Sequence, residues 1–459
     1  MEAVLKKILK KITPTESERE EFSDILEKVI CTAEEVIKPL GLEKTIAGSF
    51  IRDTWLSDKK EVDLFILFPV SYSREHLEKM GLYVGKKIVK MLGGEHEVAY
   101  AEHPYVKGKF GKFTIDVVPC YKVRSASKIK SAVDRTPFHN RYIIENLRQK
   151  MSKDVRLIKQ FCKAMDTYGS DIKTLGFSGY LCELLIIKYN NFKNLINAAK
   201  KWKFGTFIDL EGHCKFDCPE EQFRGQPLIV IDPTDPKRNV AASLSYENFT
   251  KFVEGCRAFS SRPSVKFFEI DKRPLKRAAL EAYAEKRGTK IFIIEFKRPK
   301  VVDDILWSQM RKTANRIANI LKENEFEIFM QNVWSDEIFS YLVFEMKTWL
   351  LPEARKINGP PIYSKRHAGE FIKKYKGNAY IEGERWATEI KRKHRKCDVL
   401  LKVFLDKSDK NLVKEGVRSH IAKSISKGFR LMESKDIEKL IGKNEDFAIF
   451  LRKFFERKI

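Results

Sequence analysis

The stretch that decides the fold of the N-terminal region is Ala47-Gly-Ser-Phe-Ile-Arg-Asp-Thr-Trp55, followed after a turn by Glu61-Val-Asp-Leu-Phe-Ile-Leu-Phe68. A short strand is expected to run into the turn at Gly48-Ser49, and the branched and aromatic residues after Glu61 predict a second strand. Because side chains alternate across a strand, Glu61 and Asp63 point to one face while the residues between and beyond them enter the core. The pattern therefore predicts two carboxylates on one strand face, close to a small turn.

A third carboxylate comes from Lys112-Phe-Thr-Ile-Asp-Val-Val118, which is predicted to be another strand, ended by Pro119. Asp116 stands between apolar neighbours, and an acidic residue held among buried neighbours needs a partner such as a metal ion. Mg²⁺ prefers oxygen ligands and keeps positions open for phosphates. Gly48 lets a triphosphate approach closely, and Ser49 can donate to it. These parts predict a two-metal phosphoryl-transfer site, in which one ion acidifies the attacking hydroxyl and the other neutralises the leaving pyrophosphate.

Each part of this pattern also has a plainer explanation. A Glu-x-Asp pair on a strand is usually a solvated pair at a sheet edge, and a Gly-Ser pair is usually just a turn. The order and spacing of the parts, with Asp116 following, make the catalytic interpretation much more specific than any part alone.

Composition points to a folded chain with a polyanionic partner. The chain has 459 residues, 43% hydrophobic and 33% charged, and its 88 Lys and Arg exceed its 63 Asp and Glu to give a net charge of +25. At roughly 150 residues per domain, about three domains are expected. The positive charge favours nucleic acid first and a membrane surface second, although a lysine-rich proteome would give the same balance. The scattered Cys residues, the absence of a long apolar run and the lack of a secretory signal predict a cytoplasmic location.

Three regions follow one another along the chain. The first third is mixed α/β and opens with a helix that Thr15 and Glu18 are placed to cap. The middle third is helical, with one helix expected from Glu145 to about Tyr168 that carries a basic stripe (Arg156, Lys159 and Lys163) away from its apolar side. The last third has strands and helices in the order β-α-β-β-α-β near residues 289–391, which is the ferredoxin-like arrangement of many RNA-binding folds.

Several segments together resemble one known family. They are Ala47–Trp55, Glu61–Asp63, Phe113–Pro119, Arg135–His139, Ile172–Glu183, Asp232–Ala242, Asn332–Asp336 and Gly359–Pro361. The chain resembles the nucleotidyltransferase superfamily of DNA polymerase β type, and more narrowly the archaeal (class I) CCA-adding enzymes, which are tRNA nucleotidyltransferases. The resemblance implies an α+β multidomain fold with a polymerase β-like mixed-sheet head, a helical neck and a ferredoxin-like (RRM-like) C-terminal region. The implied domains are a catalytic head over 1–135, a neck over 136–257 and a body and tail over 258–459.

The resemblance also implies an activity and its residues. Members of the family add C, C and A to the 3′ end of tRNA from CTP and ATP without a nucleic-acid template, grip the acceptor stem and elbow of the tRNA with the body and tail, and often form homodimers. The implied metal ligands, for two Mg²⁺ ions, are Glu61, Asp63 and Asp116. The implied nucleotide contacts are Ser49, Arg52, Lys159 and Tyr168 at the triphosphate, with Gly48 beside them, Thr136 and His139 near the sugar, and Arg238 at the base edge.

Four of the implied nucleotide contacts have a structural alternative. Lys159 is otherwise an ordinary solvated lysine, Tyr168 a tyrosine that closes the neck, and His139 a surface histidine. Arg238 is expected in a loop that presents its guanidinium, or else as a surface charge. The run Lys391–Lys396 is either a phosphate contact or a solvated face.

Two other functions and one metal site compete with this interpretation. A poly(A) polymerase-like enzyme would share the Gly-Ser and acid pattern but lack the tRNA-specific C-terminal match. A non-catalytic RNA-binding protein with a decayed head would have no need for three converging acids. His213, Cys214 and Cys218 have a spacing that hints at zinc, but no second ligand pair lies nearby in the sequence, so no zinc site is expected.

Overall fold

The computed structural model describes residues 1–58, 60–100, 102–214 and 221–457. These residues form two compact units, Met1–Asp271 and a second unit that begins at Lys272. The predicted division into 1–135, 136–257 and 258–459 is finer than this and stays a prediction. None of the described helices is both long and apolar enough to cross a membrane.

Helices and strands of the first unit alternate in its first half, and helices dominate its second half. Helices α1–α8 span Glu2–Ile12, Glu16–Ile37, Arg74–Met91, Thr136–Asn146, Ser152–Ala164, Gly179–Tyr189, Phe192–Ala199 and Tyr246–Ser261. Strands β1–β8 span Glu43–Ala47, Glu61–Phe68, Glu95–Tyr100, Pro104–Phe110, Phe113–Tyr121, Thr206–Ile208, Leu228–Asp232 and Asp235–Asn239. The capping box of Thr15 and Glu18 at the start of α2 is confirmed.

The N-terminal sheet has the strand order β1-β2-β5-β4-β3. Only β2 and β5 run parallel in it, and its other described pairs are antiparallel. The face that carries Val62 and Ile115 packs on α2 and α3 in a shared hydrophobic core. The strand predicted to end at Pro119 continues to Tyr121, because β4 pairs with β5 only as far as Val117 and no ladder bond is lost where Pro119 lacks its N–H.

The helices α1 and α5–α8 share a second core, to which Ile8, Phe161, Leu185 and Phe252 contribute. The single helix predicted from Glu145 is wrong in its extent, because the chain is extended at Leu147 and divides the segment into α4 and α5. Helix α6 begins at Gly179, and the Ser178 side chain accepts a hydrogen bond from the Leu181 N–H at its start. Beside these helices lies a small sheet of order β6-β7-β8.

The second unit contains two sheets. Its helices α9–α16 span Arg277–Arg287, Asp303–Glu323, Lys365–Lys374, Cys397–Leu405, Asp409–Lys414, Ser419–Ile425, Ser434–Ile441 and Glu445–Glu456. Its strands β9–β15 span Lys290–Lys297, Ile328–Ser335, Phe339–Met346, Ala354–Pro361, Ala379–Glu382, Arg385–Lys391 and Phe429–Met432.

The larger sheet has the ferredoxin-like arrangement that the sequence predicts, but with a different last strand. Its order is β10-β11-β9-β15, with every neighbouring pair antiparallel. The predicted last strand, now β14, belongs instead to the separate sheet β12-β14-β13. This small sheet packs on α11 so closely that a Cβ at Gly359 would lie 2.8 Å from the Phe371 ring and 2.9 Å from the Trp386 carbonyl oxygen.

Candidate active site

The three predicted acids meet on the face of the N-terminal sheet opposite its core. In the parallel register of β2 and β5, Asp63 lies directly beside Asp116, and Glu61 lies two residues before Asp63 on the same face. On the other side of β2, Ala47 pairs with Asp63, so the chain leaves β1 at Gly48 next to that carboxylate. The sheet therefore brings the acids and the Gly-Ser turn together.

Gly48 approaches Asp63 more closely than any other residue type could. Its φ is +99°, in a region that L residues rarely adopt, and a Cβ at this position would lie 2.5 Å from Asp63 Oδ2. The glycine thus leaves open the space beside a carboxylate oxygen that a side chain would fill.

A tyrosine that the sequence analysis missed joins the acids. Tyr105 lies on β4, two residues from Lys107, which pairs with Asp116. Burial raises the pKa of Tyr105 well above its ordinary value, and the neighbouring charge of Asp116 and a hydrogen bond to that carboxylate raise it further. Tyr105 therefore stays protonated, and its neutral hydroxyl is able to donate to Asp116. The turn at Gly111 could have indicated this neighbour from the sequence, because a hairpin at Gly111 places Tyr105 on the same sheet face as Asp116.

The basic stripe predicted for the middle third of the chain lies on α5, is bound to the turn at residues 53–58 and does not face solvent. Arg156 donates to two main-chain carbonyls of this turn at 2.6 and 3.0 Å, and Lys163 donates to the Asp58 carboxylate at 2.8 Å. Arg156 and Lys159 are each only 3% exposed. The stripe is buried because the carbonyls of the turn need donors when the turn packs on α5.

Two of the predicted triphosphate contacts converge on Glu183, a carboxylate of α6 that is fully buried. Its Oε1 accepts from Arg52 Nε at 3.1 Å and lies 3.6 Å from Lys159 Nζ. Lys159 also donates to the Thr54 carbonyl and hydroxyl oxygens, both at 3.0 Å. Lys159 is therefore not a solvated lysine, and it is paired at the turn that follows Ser49.

Burial and charge act in opposite directions on this pair. Burial lowers the pKa of Lys159 below its ordinary value, and the charge of Glu183 opposes that shift. For Glu183, burial alone would raise the pKa, but the charges of Arg52 and Lys159 hold it below its ordinary value. The carboxylate is therefore ionised between two cations.

Tyr168 lies on the same side of α6. Its hydroxyl is 3.3 Å, and Lys159 Nζ 3.8 Å, from the point where a Cβ of Gly179 would stand, so both groups reach the first turn of that helix. Burial raises the pKa of the Tyr168 hydroxyl, which therefore remains a neutral donor. Arg52, Lys159 and Tyr168 thus form one group.

A second buried carboxylate, Asp232 at the end of β7, joins His139 and Arg238. It accepts from His139 Nε2 at 2.8 Å and from Arg238 Nη1 at 2.7 Å. The His139 ring stacks on Tyr180 with centroids 4.1 Å apart, and Thr136 begins the same helix one turn earlier. Arg238 lies on β8 and not in the predicted loop, because the chain after Asp232 turns back to pair with β7.

Asn140 connects these groups. Asn140 follows His139 in the sequence. Its side chain accepts from Arg52 Nη1 at 2.9 Å and donates to the Ile46 carbonyl at 3.2 Å. Asn140 thus links the Arg52 guanidinium to β1 from α4, the helix that also carries His139. Glu183 and Asp232 are not among the site residues predicted from the sequence. For Glu183 a signal was present, because a lone acid in the apolar run of α6 indicates a buried partner.

The residues whose spacing hints at zinc are described only in part. Cys218 lies outside the described residues, and His213 Nε2 is 3.1 Å from the Pro233 carbonyl oxygen, which occupies that ring nitrogen.

Family models match three successive parts of the chain. A nucleotidyltransferase domain covers residues 30–139, the second domain of tRNA nucleotidyltransferases covers 153–269, and the C-terminal domain of CCA-adding enzymes covers 287–434. Among solved structures, the Cid1 poly(U) polymerase aligns with 58% of this chain and 98% of its own at a TM-score of 0.47 and 14% identity, too distant a likeness to support more.

Curated relatives match almost from end to end. The CCA-adding enzyme of Methanosarcina acetivorans is 38% identical over 458 residues, which cover 97% of each chain. That of Methanothermobacter thermautotrophicus is 36% identical, covering 97% of this chain and 96% of its own. Similarity of this extent shows that the chain is a nucleotidyltransferase and belongs to the family of CCA-adding enzymes.

Proposed function

We propose that this enzyme adds C, C and A to the 3′ end of tRNA, using CTP and ATP and no nucleic-acid template. In each step the 3′ hydroxyl of the tRNA attacks the α-phosphate of the nucleotide, a new phosphodiester forms and pyrophosphate leaves. The observation that carries the proposal is the register that sets Asp63 beside Asp116, with Gly48 leaving the space at Asp63 open.

The residues present fit Mg²⁺. All three acids offer carboxylate oxygens, the ligands that this ion prefers, and Gly48 leaves room beside one of them. No three His, Cys, Asp or Glu side chains of the described ranges form a ready metal cage. Mg²⁺ is usually held by one or two carboxylates together with substrate phosphates and water, so a complete protein cage is not required. Glu61, Asp63 and Asp116 would hold two ions, which when bound stabilise charge on the attacking and leaving oxygens.

The remaining residues bind and orient the nucleotide. Ser49 and Arg52, in the turn after Gly48, and Lys159 and Tyr168 would contact the triphosphate. Their cationic and hydroxyl groups suit an anion of high charge, and the turn is held rigidly by α5.

The sugar and base would lie toward Asp232. Thr136 and His139 on α4 would contact the sugar, and Arg238 would reach the base edge. Asp232 fixes the His139 ring and the Arg238 guanidinium at once, so both are oriented before a nucleotide arrives.

We further propose that the second unit binds the acceptor stem and elbow of the tRNA. Its support is the match to the C-terminal domain of CCA-adding enzymes and the chain's net charge of +25, which suits a phosphate backbone.

The proposal is tested with a tRNA transcript that ends at its discriminator base. The enzyme is expected to add C, C and A in that order and then stop when both nucleotides are supplied, and to add only C when ATP is omitted. An unlimited run of A would contradict the proposal and favour a poly(A) polymerase-like activity.

The role of the acids is tested separately with Asp63→Ala. This variant is expected to lose nucleotide incorporation and to keep tRNA binding within about twofold, because metal chemistry and phosphate grip use different groups. Asp24→Ala, which alters an exposed acid of α2, is the matched control and should retain both. Equal loss of incorporation and binding in Asp63→Ala would refute the separation.

A further inference from the structure

Glu183 is an unusual residue for the middle of α6. The helix is strongly apolar, and the carboxylate is fully buried. Its Oε1 accepts from Thr54 Oγ1 at 2.5 Å and from Arg52 Nε at 3.1 Å, and lies 3.6 Å from Lys159 Nζ. Its Oε2 is also buried and finds no hydrogen-bond partner among the described residues. A carboxylate held in this way is costly to keep.

Stability alone does not explain this arrangement. Replacing a buried ion pair by well-packed apolar residues is often neutral or stabilising, so a buried pair is weak evidence for a structural role. The cations around Glu183 outnumber it, and both of them, Arg52 and Lys159, belong to the group expected at the triphosphate. One carboxylate thus sets the direction of two phosphate contacts that come from different elements, the turn after β1 and helix α5.

We propose that Glu183 is a positioning residue for the triphosphate: it fixes the Arg52 guanidinium and the Lys159 ammonium in the geometry that receives the phosphates. The inference rests on the proposed function, because it takes Arg52 and Lys159 as phosphate contacts. It adds a residue that touches neither the nucleotide nor the metal. Asn140 completes the support, since it accepts from Arg52 Nη1 at 2.9 Å and leaves the guanidinium little freedom to rotate.

The second unit offers a closely matched control. Glu345 on β11 is also fully buried, and it accepts from Thr289 Oγ1 at 2.7 Å and from Arg287 Nη1 at 3.1 Å. Arg287 in turn donates to the Phe455 carbonyl at 2.6 Å, which joins α9 to the last helix. Glu345→Gln therefore makes the same chemical change in a buried ion pair that lies outside the group expected at the triphosphate.

The test compares Glu183→Gln with Glu345→Gln in the full-length protein. The probe is inorganic tripolyphosphate, measured by calorimetry in the presence of Mg²⁺, with cytidine and the tRNA transcript as further ligands. Glu183→Gln is expected to bind tripolyphosphate at least tenfold more weakly, and to bind cytidine and tRNA within twofold of the wild type. Glu345→Gln should bind all three like the wild type, and Glu183→Asp, which keeps the charge, should recover part of the loss.

The direction in which Glu183→Gln changes the affinity for tripolyphosphate separates a positioning role from a simple effect of charge. Removal of one negative charge would by itself favour an added anion, so weaker tripolyphosphate binding is the result of misplaced cations. Unchanged or tighter binding by folded Glu183→Gln would overturn the inference, as would an equal loss in Glu345→Gln. If Glu183→Gln does not fold, Thr54→Val keeps every charge and removes the hydroxyl that donates to Glu183 and accepts from Lys159. It is expected to weaken tripolyphosphate binding about threefold, and no change would overturn the inference.

The two proposals fail in distinguishable ways. A wild-type enzyme that does not add C, C and A to tRNA refutes the proposed function, whatever the variants bind. A wild-type enzyme that does so, with tripolyphosphate binding that is indifferent to Glu183, refutes only the role of Glu183.

Discussion

The close approach of Gly48 to Asp63 supplies the sharpest prediction, which concerns Gly48→Ala. The new Cβ would lie 2.5 Å from Asp63 Oδ2, about 1 Å short of the 3.4 Å at which ordinary contact begins. Either the turn or the carboxylate must move by that amount. A displacement of about 1 Å near a reacting centre costs roughly 10²-fold in rate.

The backbone adds a second, separate cost. Gly48 has a φ of +99°, and an L residue in left-handed conformation costs roughly 1–2 kcal/mol. Gly41 isolates this cost, because it has a φ of +63° and a Cβ there would meet no described atom within 4 Å. Gly41→Ala should therefore lose stability of that order and keep its activity, whereas Gly48→Ala should lose both.

The assay is single-turnover addition of C to a tRNA that lacks its terminal CCA, together with thermal unfolding of each variant. Gly48→Ala is expected to react about 100-fold more slowly than the wild type while still folded. Gly41→Ala should react within about twofold of the wild type. Wild-type rates for folded Gly48→Ala, or an equal loss in Gly41→Ala, would refute the claim that Gly48 keeps the approach to Asp63 open.

Three further results are expected. Tyr105→Phe removes the donor to Asp116 and should lower kcat about tenfold, equivalent to about 1.4 kcal/mol, with little change in KM for CTP; an unchanged kcat would contradict its role. Burial alone would raise the pKa of Asp232, but hydrogen bonds led by that from His139 hold it below its ordinary value. Its contribution to stability is therefore fully present above the unfolded pKa of about 3.9, declines as the pH falls below that value, and is lost as the pH falls through the lower pKa of the folded protein. The difference in free energy of unfolding between the wild type and Asp232→Asn should then become smaller as the pH is lowered below about 5. A difference that stays constant with pH in acid unfolding curves would show that protonation of Asp232 is not coupled to stability. Finally, the affinity for tRNA should fall steeply as salt rises from about 50 to 200 mM, and a nearly flat series in filter binding would rule out a phosphate-dominated grip.

The sequence predicts the part of the N-terminal sheet that carries the three acids well, because its signals are local. Alternation along Glu61–Phe68 places the acids on one face without knowledge of any partner strand, and the strand that pairs with it carries Asp116 in the same pattern. Where the decisive partner is distant in sequence, the prediction is wrong. The ferredoxin-like sheet closes with Phe429–Met432, far beyond the segment expected, since a short strand has no local feature that says which sheet it joins.

The charged residues of α5 and α6 show the same limit. The spacing of Arg156 and Lys159 is typical of a charged helix face that is exposed to solvent. Both residues are buried only because residues 53–58 pack on that face. Glu183 could be recognised as a buried acid from its apolar helix, but its partners lie 129 and 131 residues away and come from a different element. Burial of charge is decided by tertiary contacts, which helical periodicity does not contain.

The central claim is that three acids on neighbouring strands gather metal ions around an incoming nucleotide. It is tested most directly by a crystal structure of the enzyme with Mn²⁺ and a non-hydrolysable CTP analogue, with anomalous data to locate the metal. Anomalous peaks from Mn²⁺ are expected within coordination distance of Asp63, Asp116 and Glu61. The same ions are expected to contact the phosphates of the analogue, which should lie beside Gly48. Peaks away from these carboxylates, or a triphosphate bound elsewhere in the chain, would contradict the claim.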